Sequence, residues 1–241
     1  MEVALNMYPW GVNESFFFKV TYSKEFKRLH IYSYGCNFNC KWCYYRLKTP
    51  VCSKRLHIDE IVRVVDEVHY KYGISKIHLL GGEPTINPDL DKVIELAKSY
   101  GIKIKLFTNG YNEIPKGVDE VNISIRLMDN EKHIKYTGRA LYPILNNLIN
   151  AYNEGIRIYV TTIYIPDLNY NDILKLAEFI SRIDPNIPLH IIGYIPVPKA
   201  PWRKPSNYEM LALANRCKKI LRNVTWSNVS VSYTHLTLPT N

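Results

Sequence analysis

The sequence predicts an α/β fold, a partial barrel in which six parallel strands alternate with helices. Three observations predict it. Short apolar runs alternate with amphipathic helical patterns along most of the chain, as in consecutive βαβ units. The run 121–127 alternates cleanly, with Val121, Ile123, Ile125 and Leu127 on one face and Asn122, Ser124 and Arg126 on the other. A flat doubly wound sheet would make its central strands apolar on both faces, whereas a curved one can keep a polar inner face around a ligand. Finally, the turns richest in chemistry all follow predicted strands: the cysteine loop, Gly81-Gly82-Glu83-Pro84 and Thr108-Asn109-Gly110. Strand C-termini are where such folds carry their sites.

Taken in order, residues 1–28 form an extension whose aromatic stretch Phe16-Phe17-Phe18 predicts a strand or hairpin before the main fold. The first strand of the main fold covers 29–33. A helix over 58–70 has apolar residues at 58, 61, 62, 65 and 68, one helical face. A strand at 77–80 follows, then a helix over 90–100 stopped by Gly101. Strands at 102–107 and 121–127 come next. A helix over 143–153 ends at Gly155 and leads to a strand at 156–163. A helix over 172–183, a strand at 189–194 and a helix over 208–221 complete the pattern. The main domain therefore spans 29–222, with a tail over 223–241. Residues 231–241 carry no charge and resemble a translated sequencing adaptor, a non-native sequence from which no function is expected.

Composition narrows the function classes. A chain of 241 residues with 46% hydrophobic content suits one medium-sized domain with a full core. Lys plus Arg number 31 against 22 Asp plus Glu, a formal +9 that favours anionic partners. No block of five or six like charges suggests a nucleic-acid tail, so nucleic acid is possible but not indicated. The start lacks the pattern of a signal peptide, and no run approaches eighteen apolar residues, so no membrane partner is expected. Five cysteines, three of them clustered, read as an intracellular metal site rather than a disulfide framework, which gives a cytoplasmic expectation.

The clustered cysteines are Cys36, Cys40 and Cys43, spaced C-x3-C-x2-C. Three thiolates on one loop can hold three irons of a 4Fe–4S cluster and leave the fourth iron open. A zinc knuckle is the alternative and needs a fourth ligand, for which Cys52 or His57 is available. The glycines at 81 and 82 let backbone approach a ligand where side chains would block it. Cys217 falls on the apolar face of the last helix and reads as a small core residue.

These motifs, with Trp42 before the last cysteine, resemble the signature of radical S-adenosylmethionine (SAM) enzymes. Gly81-Gly82-Glu83-Pro84 resembles the second motif of that family, and the likeness covers most of 29–222. It implies a partial (β/α)6 TIM-like barrel. Cys36, Cys40 and Cys43 would anchor the 4Fe–4S cluster, and S-adenosyl-L-methionine would chelate its open iron. The cluster would cleave SAM to a 5′-deoxyadenosyl radical that abstracts hydrogen from the substrate. Trp42 would pack on the adenine side, and Gly81-Gly82 would receive the amino group. Glu83 would either hydrogen-bond nearby or cap the following helix. Flavodoxin or ferredoxin would supply the electron. No residue is assigned as catalytic.

Within that family, Thr108-Asn109-Gly110 is similar to the third-strand ending of glycyl-radical-enzyme (pyruvate formate-lyase) activating enzymes, with Phe107 where these often carry Asp. Their Asp-x-Lys corresponds to Ser124-Ile125-Arg126. Ser124 would then lie near the ribose and Arg126 would pair with the SAM carboxylate. The alternation independently turns both inward, and Arg suits a bidentate carboxylate contact; the plain alternative for Arg126 is a solvent-facing charge on an edge strand. Residues 129–138 resemble a loop of those activases. His190 is similar in placement to an activase histidine, giving either a SAM contact or a structural strand histidine. Trp202, in the Pro-rich loop 196–205, would touch substrate, close the barrel mouth or belong to an ordinary surface loop.

The leading expectation is thus an activase-like radical SAM enzyme acting on a protein or peptide. The first alternative is a radical SAM enzyme on a small nucleotide-like molecule, such as a carboxy-deazaguanine synthase. The second is a non-catalytic electron carrier or nucleic-acid module.

Overall fold

The computed structural model describes residues 16–44 and 55–228. Cys52, the N-terminal residues 1–15 and the tail 231–241 lie outside the described residues. Strand β1 (Phe17–Ser23) pairs antiparallel with β2 (Arg28–Ser33), giving the expected hairpin. Six more strands follow in parallel: β3 (Lys76–Gly81), β4 (Lys103–Thr108), β5 (Glu120–Ser124), β6 (Arg157–Tyr164), β7 (Leu189–Gly193) and β8 (Val224–Ser227). They stand side by side in chain order from β1 to β8. A doubly wound sheet reverses its strand order at a switch point; this one does not, which is the order of a partial barrel. The six expected strands are present, and the sheet carries one further strand at each edge.

The helices are α1 (Ile58–Tyr72), α2 (Leu90–Ser99), α3 (Asn130–Thr137), α4 (Tyr142–Asn153), α5 (Tyr170–Ile183) and α6 (Asn207–Cys217). Helix α3 has no counterpart in the apolar pattern, because only His133 and Thr137 of its eight residues are buried. It is set by its ends instead. Asp129 accepts the Lys132 N–H at 2.8 Å, and Gly138 takes the left-handed conformation at φ 81°. The last helix stops four residues before its expected end. There the N–H groups of Lys219 and Ile220 turn back to the carbonyls of Arg216 and Cys217.

One face of the sheet builds the core. Leu29, Ile31, Ile77, Ile104, Leu106, Val121 and Ile123 are completely buried, and pack with Ile61, Val65, Val93, Ile144, Leu148 and Ile173 of the helices. Each such burial contributes about 1.5–3 kcal/mol, and a one-residue slip of any strand would expose its set. Cys217 belongs to this core, and burial pushes its thiol up to about 11.

The opposite face is largely polar and partly buried, His78 and Glu120 being buried. Its upper rows carry Asn122, Ser124, Thr161 and His190, and its lower rows Arg28, His30, Lys76, His78, Lys105 and Glu120. Burial, reinforced by His30, Arg28, Lys105 and Lys76, pushes the His78 imidazole down to about 4.

Candidate active site

The cysteine loop leaves β2 after Ser33 and is seated by three neighbouring segments. The turn after β3 holds its start: Gly82 N–H donates to the Ser33 carbonyl and Glu83 N–H to the Gly35 carbonyl, each at 2.8 Å. A Cβ at Gly81 would lie 2.3 Å from the Ser33 carbonyl oxygen, and one at Gly82 would lie 1.7 Å from that of Gly35. The close approach that demands glycine is therefore to the cysteine loop itself. The end of α3 holds the middle, with Asn39 N–H on the Thr137 carbonyl (2.7 Å) and Lys41 N–H on that of Tyr136 (3.1 Å). Asn109, after β4, donates to Asn37 Oδ1 at 2.7 Å and reaches Cys36 Sγ at 3.8 Å. The activase-like segment 129–138 is thus a helix that carries the cysteine loop. Arg139, just beyond it, gives its Nε–H to the Asn37 carbonyl at 3.0 Å. Neither contact was legible in periodicity; the flanking Asp129 and Gly138 were the available signal.

Glu83 is fully buried. Its carboxylate accepts from Thr85 N–H (3.1 Å), Thr85 Oγ1 (2.8 Å), Thr108 Oγ1 (2.6 Å) and Asn109 N–H (2.7 Å). It caps the single 3₁₀ turn Pro84–Ile86 and ties the end of β3 to the end of β4. Burial pushes its carboxyl above the usual range, against these four bonds, which favour the charged form. Thr108 gives its hydroxyl to Glu83 and accepts Gly110 N–H at 3.0 Å. Of the two alternatives for Glu83 the cap is present, and the polar atoms of Glu83 and Thr108 are engaged with each other and with neighbouring backbone.

Cys40 and Cys43 border a cavity of about 280 Å³ that Trp42, Tyr44, Arg126 and Ile192 also line. Arg126 follows β5, which lies between β4 and β6 and so is not an edge strand. Its Nη1 reaches the Ser124 carbonyl at 3.4 Å, while its Nε is buried with no hydrogen-bond partner. Ser124 stands one row below, its hydroxyl 3.4 Å from that of Thr161. Trp42 is buried against Tyr136 and Trp202, with ring centroids 5.8 and 6.1 Å away, and its indole N–H has no partner. The Pro-rich loop therefore closes over the cysteine loop through Trp202. His190 sits deeper, with ring nitrogens 2.7 Å from Thr225 Oγ1 and 3.0 Å from Ser227 Oγ. Two hydroxyls of β8 engage it, partners supplied by a strand absent from the sequence pattern.

Burial pushes the Cys36 thiol up to about 12, helped by Glu83, Cys40 and Cys43. Cys40 and Cys43 thus both act on Cys36 electrostatically. Among the described residues no three His, Cys, Asp or Glu groups converge on the point a single ion would occupy. An iron–sulfur cluster instead distributes its thiolates over separate irons. His57, the candidate fourth zinc ligand, caps α1 through its ring nitrogen. Three thiols on one loop, beside a cavity lined by Arg126 with its unpartnered Nε and by Trp42 with its unpartnered indole N–H, fit a cluster with a bound zwitterion.

The sequence profile of the radical SAM superfamily matches residues 30–180. The chain belongs to the radical SAM superfamily. It is an enzyme of that superfamily, whose membership implies SAM and an iron–sulfur cluster. A Methanocaldococcus jannaschii protein provisionally named a glycyl-radical enzyme activating enzyme is 32% identical over 83% of this chain and 80% of its own. A Methanococcus vannielii protein provisionally named a GTP 3′,8-cyclase is 29% identical over 67% of this chain and 61% of its own. In structure, Streptococcus suis SuiB bound to its precursor peptide SuiA superposes with a TM-score of 0.65 at 16% identity. That likeness covers 80% of this chain and 46% of SuiB, so the chain spans just under half of that protein. No helix among the described residues is long and apolar enough to cross a membrane.

Proposed function

We propose that this radical SAM enzyme holds a 4Fe–4S cluster on Cys36, Cys40 and Cys43 and acts, activase-like, on a protein or peptide. When bound, the cluster supplies the electron that cleaves SAM to a 5′-deoxyadenosyl radical, which takes hydrogen from the substrate. The observation that carries the reading is the cavity shared by Cys40, Cys43 and the unpartnered Arg126 Nε. Arg126 would hold the SAM carboxylate, since its buried, unpartnered Nε–H can be satisfied by an anionic oxygen and its fork suits a carboxylate. Trp42 would offer its ring to the adenine side, and Ser124 its hydroxyl near the ribose. Glu83, Thr108 and Asn109 keep the turns at that mouth in register. A reducing protein such as flavodoxin or ferredoxin would deliver the electron, in the cytoplasm. The relative named as an activating enzyme supports the protein or peptide substrate.

Anaerobic reconstitution with iron and sulfide, then SAM and dithionite, tests this. The expected product is 5′-deoxyadenosine, and a formed cluster with no such product sinks the proposal. Cys40→Ala is expected to abolish the cluster's visible absorption; an unchanged spectrum and iron content would refute the ligand assignment.

The partly buried basic floor of the sheet's inner face favours a second reading, a small nucleotide-like substrate of the kind a carboxy-deazaguanine synthase takes. The relative named for a reaction of GTP supports it. Activity with small nucleotides and no protein partner would select this reading over the first.

A further inference from the structure

The lower inner face carries a charge imbalance that the fold does not need. Strand register sets Arg28 beside Lys76 and Lys76 beside Lys103, three cations abreast on β2, β3 and β4. The next row sets His30 beside His78, His78 beside Lys105, and Lys105 beside Glu120. Like charges on directly opposed strand positions destabilise a sheet. Against these cations, β2 to β5 offer one carboxylate on this face among the described residues, Glu120. It pairs with Lys76 and, at 3.4 Å, with Lys105. Burial pushes Glu120 up, but the two lysines outweigh it and hold the carboxyl below its usual range. The same pairing does not hold Lys105 up, because burial and the repulsion of Lys76 and Arg28 draw it down. Arg28 has an aromatic contact, Phe26 at 4.9 Å, and forms no ion pair among the described residues.

From these groups we infer that the floor of the partial barrel is a subsite for the phosphate of a small-molecule substrate. It rests on the second reading above, that of a small substrate. Three half-buried cations, Arg28, Lys76 and Lys105, against one carboxylate leave a net charge of about +2. A phosphate monoester carries about −1.5 to −2 at pH 7 and so complements it; a lone carboxylate leaves half of it uncompensated. Arg28 offers a planar fork of donors and the lysines act as point charges, both suited to phosphate oxygens. Tyr159 backs the site, with Lys105 Nζ 3.4 Å from its ring centroid, and His30 meets His78 edge-on at 4.8 Å. Arg126 lies six residues on from Glu120, two beyond the end of β5, roughly 20 Å for an extended chain. A substrate with its phosphate on the floor would therefore reach toward the mouth with its carbon framework.

Isothermal titration of the full chain with pyrophosphate, without SAM, tests the subsite. Saturable binding that weakens about ten-fold in Arg28→Gln, a loss of one charge-assisted contact, and again in Lys105→Met is expected. Arg28 has no ion pair to lose, so its variant should keep the parent's circular dichroism and melting temperature. Lys219→Gln, an exposed surface change, should leave binding unaltered. Equal weakening in Lys219→Gln would assign the binding to diffuse surface charge and overturn the inference. So would absence of binding, or equal binding of a tetraglutamate peptide. Deoxyadenosine formation is read separately: its presence without pyrophosphate binding fails the subsite alone, and its absence with binding intact fails the enzymatic reading alone.

Discussion

Glu83 and His78 lie five residues apart on the same turn and strand, and burial displaces each in the direction that favours its neutral form. Glu83 keeps four hydrogen bonds that join two strand ends. Its position in the sequence motif was legible, but its partners were not, because Thr108 and Asn109 come 25 and 26 residues later. His78 has no carboxylate of its own and stands among Arg28, His30, Lys76 and Lys105. Its folded pKa of about 4 lies below the ordinary 6.5. Between those values the unfolded chain binds a proton that the folded chain does not, so stability rises with pH there and is lost as pH falls from 6.5 toward 4. His78→Asn is expected to shrink the difference in unfolding free energy between pH 7 and pH 5 by about 1–2 kcal/mol, as read from urea denaturation at the two pH values. An unchanged difference would show that His78 is not the group responsible.

Among the elements, α3 has the largest effect on the site for its length. It buries little, yet the carbonyls of Tyr136 and Thr137 at its end hold the backbone between Cys36 and Cys43. The apolar period found every helix that packs on the sheet and passed over this one, since a period can report only residues that seek the core. Strand β8 escaped for a related reason: four residues are too few to establish alternation. Asp129→Ala removes the N-cap of α3 and is expected to cost about 1 kcal/mol. Iron should leave the reconstituted variant faster than the parent under chelator challenge. A lower melting temperature with unchanged iron release would separate the helix from the loop it carries.

Across the whole molecule, the alternation of apolar and polar faces in 121–127 was enough to reveal a curved sheet with a polar interior. The strand order β1 to β8 agrees with it. What that reading lacked was the strand at the far edge, β8. A chain ending at Arg222 would lose β8, leaving the backbone groups on the outer side of β7 unpaired and His190 without Thr225 and Ser227. Such an edge invites pairing between molecules, and size-exclusion chromatography is expected to show the truncated chain as higher oligomers or aggregate. A monomeric elution like that of the full chain would refute this. The contact of Gly82 with Gly35 bears on how such a site could be moved or inherited. With no room between the two backbones for even one methyl group, the cysteine loop and the Gly-Gly turn form a lock and its keeper. Grafting the cysteine spacing onto another barrel would give thiols without a seat unless the turn were carried with it. A side chain at Gly82 would meet the carbonyl at position 35 whatever residue stood there, so the turn cannot drift at 82 while the loop keeps its seat.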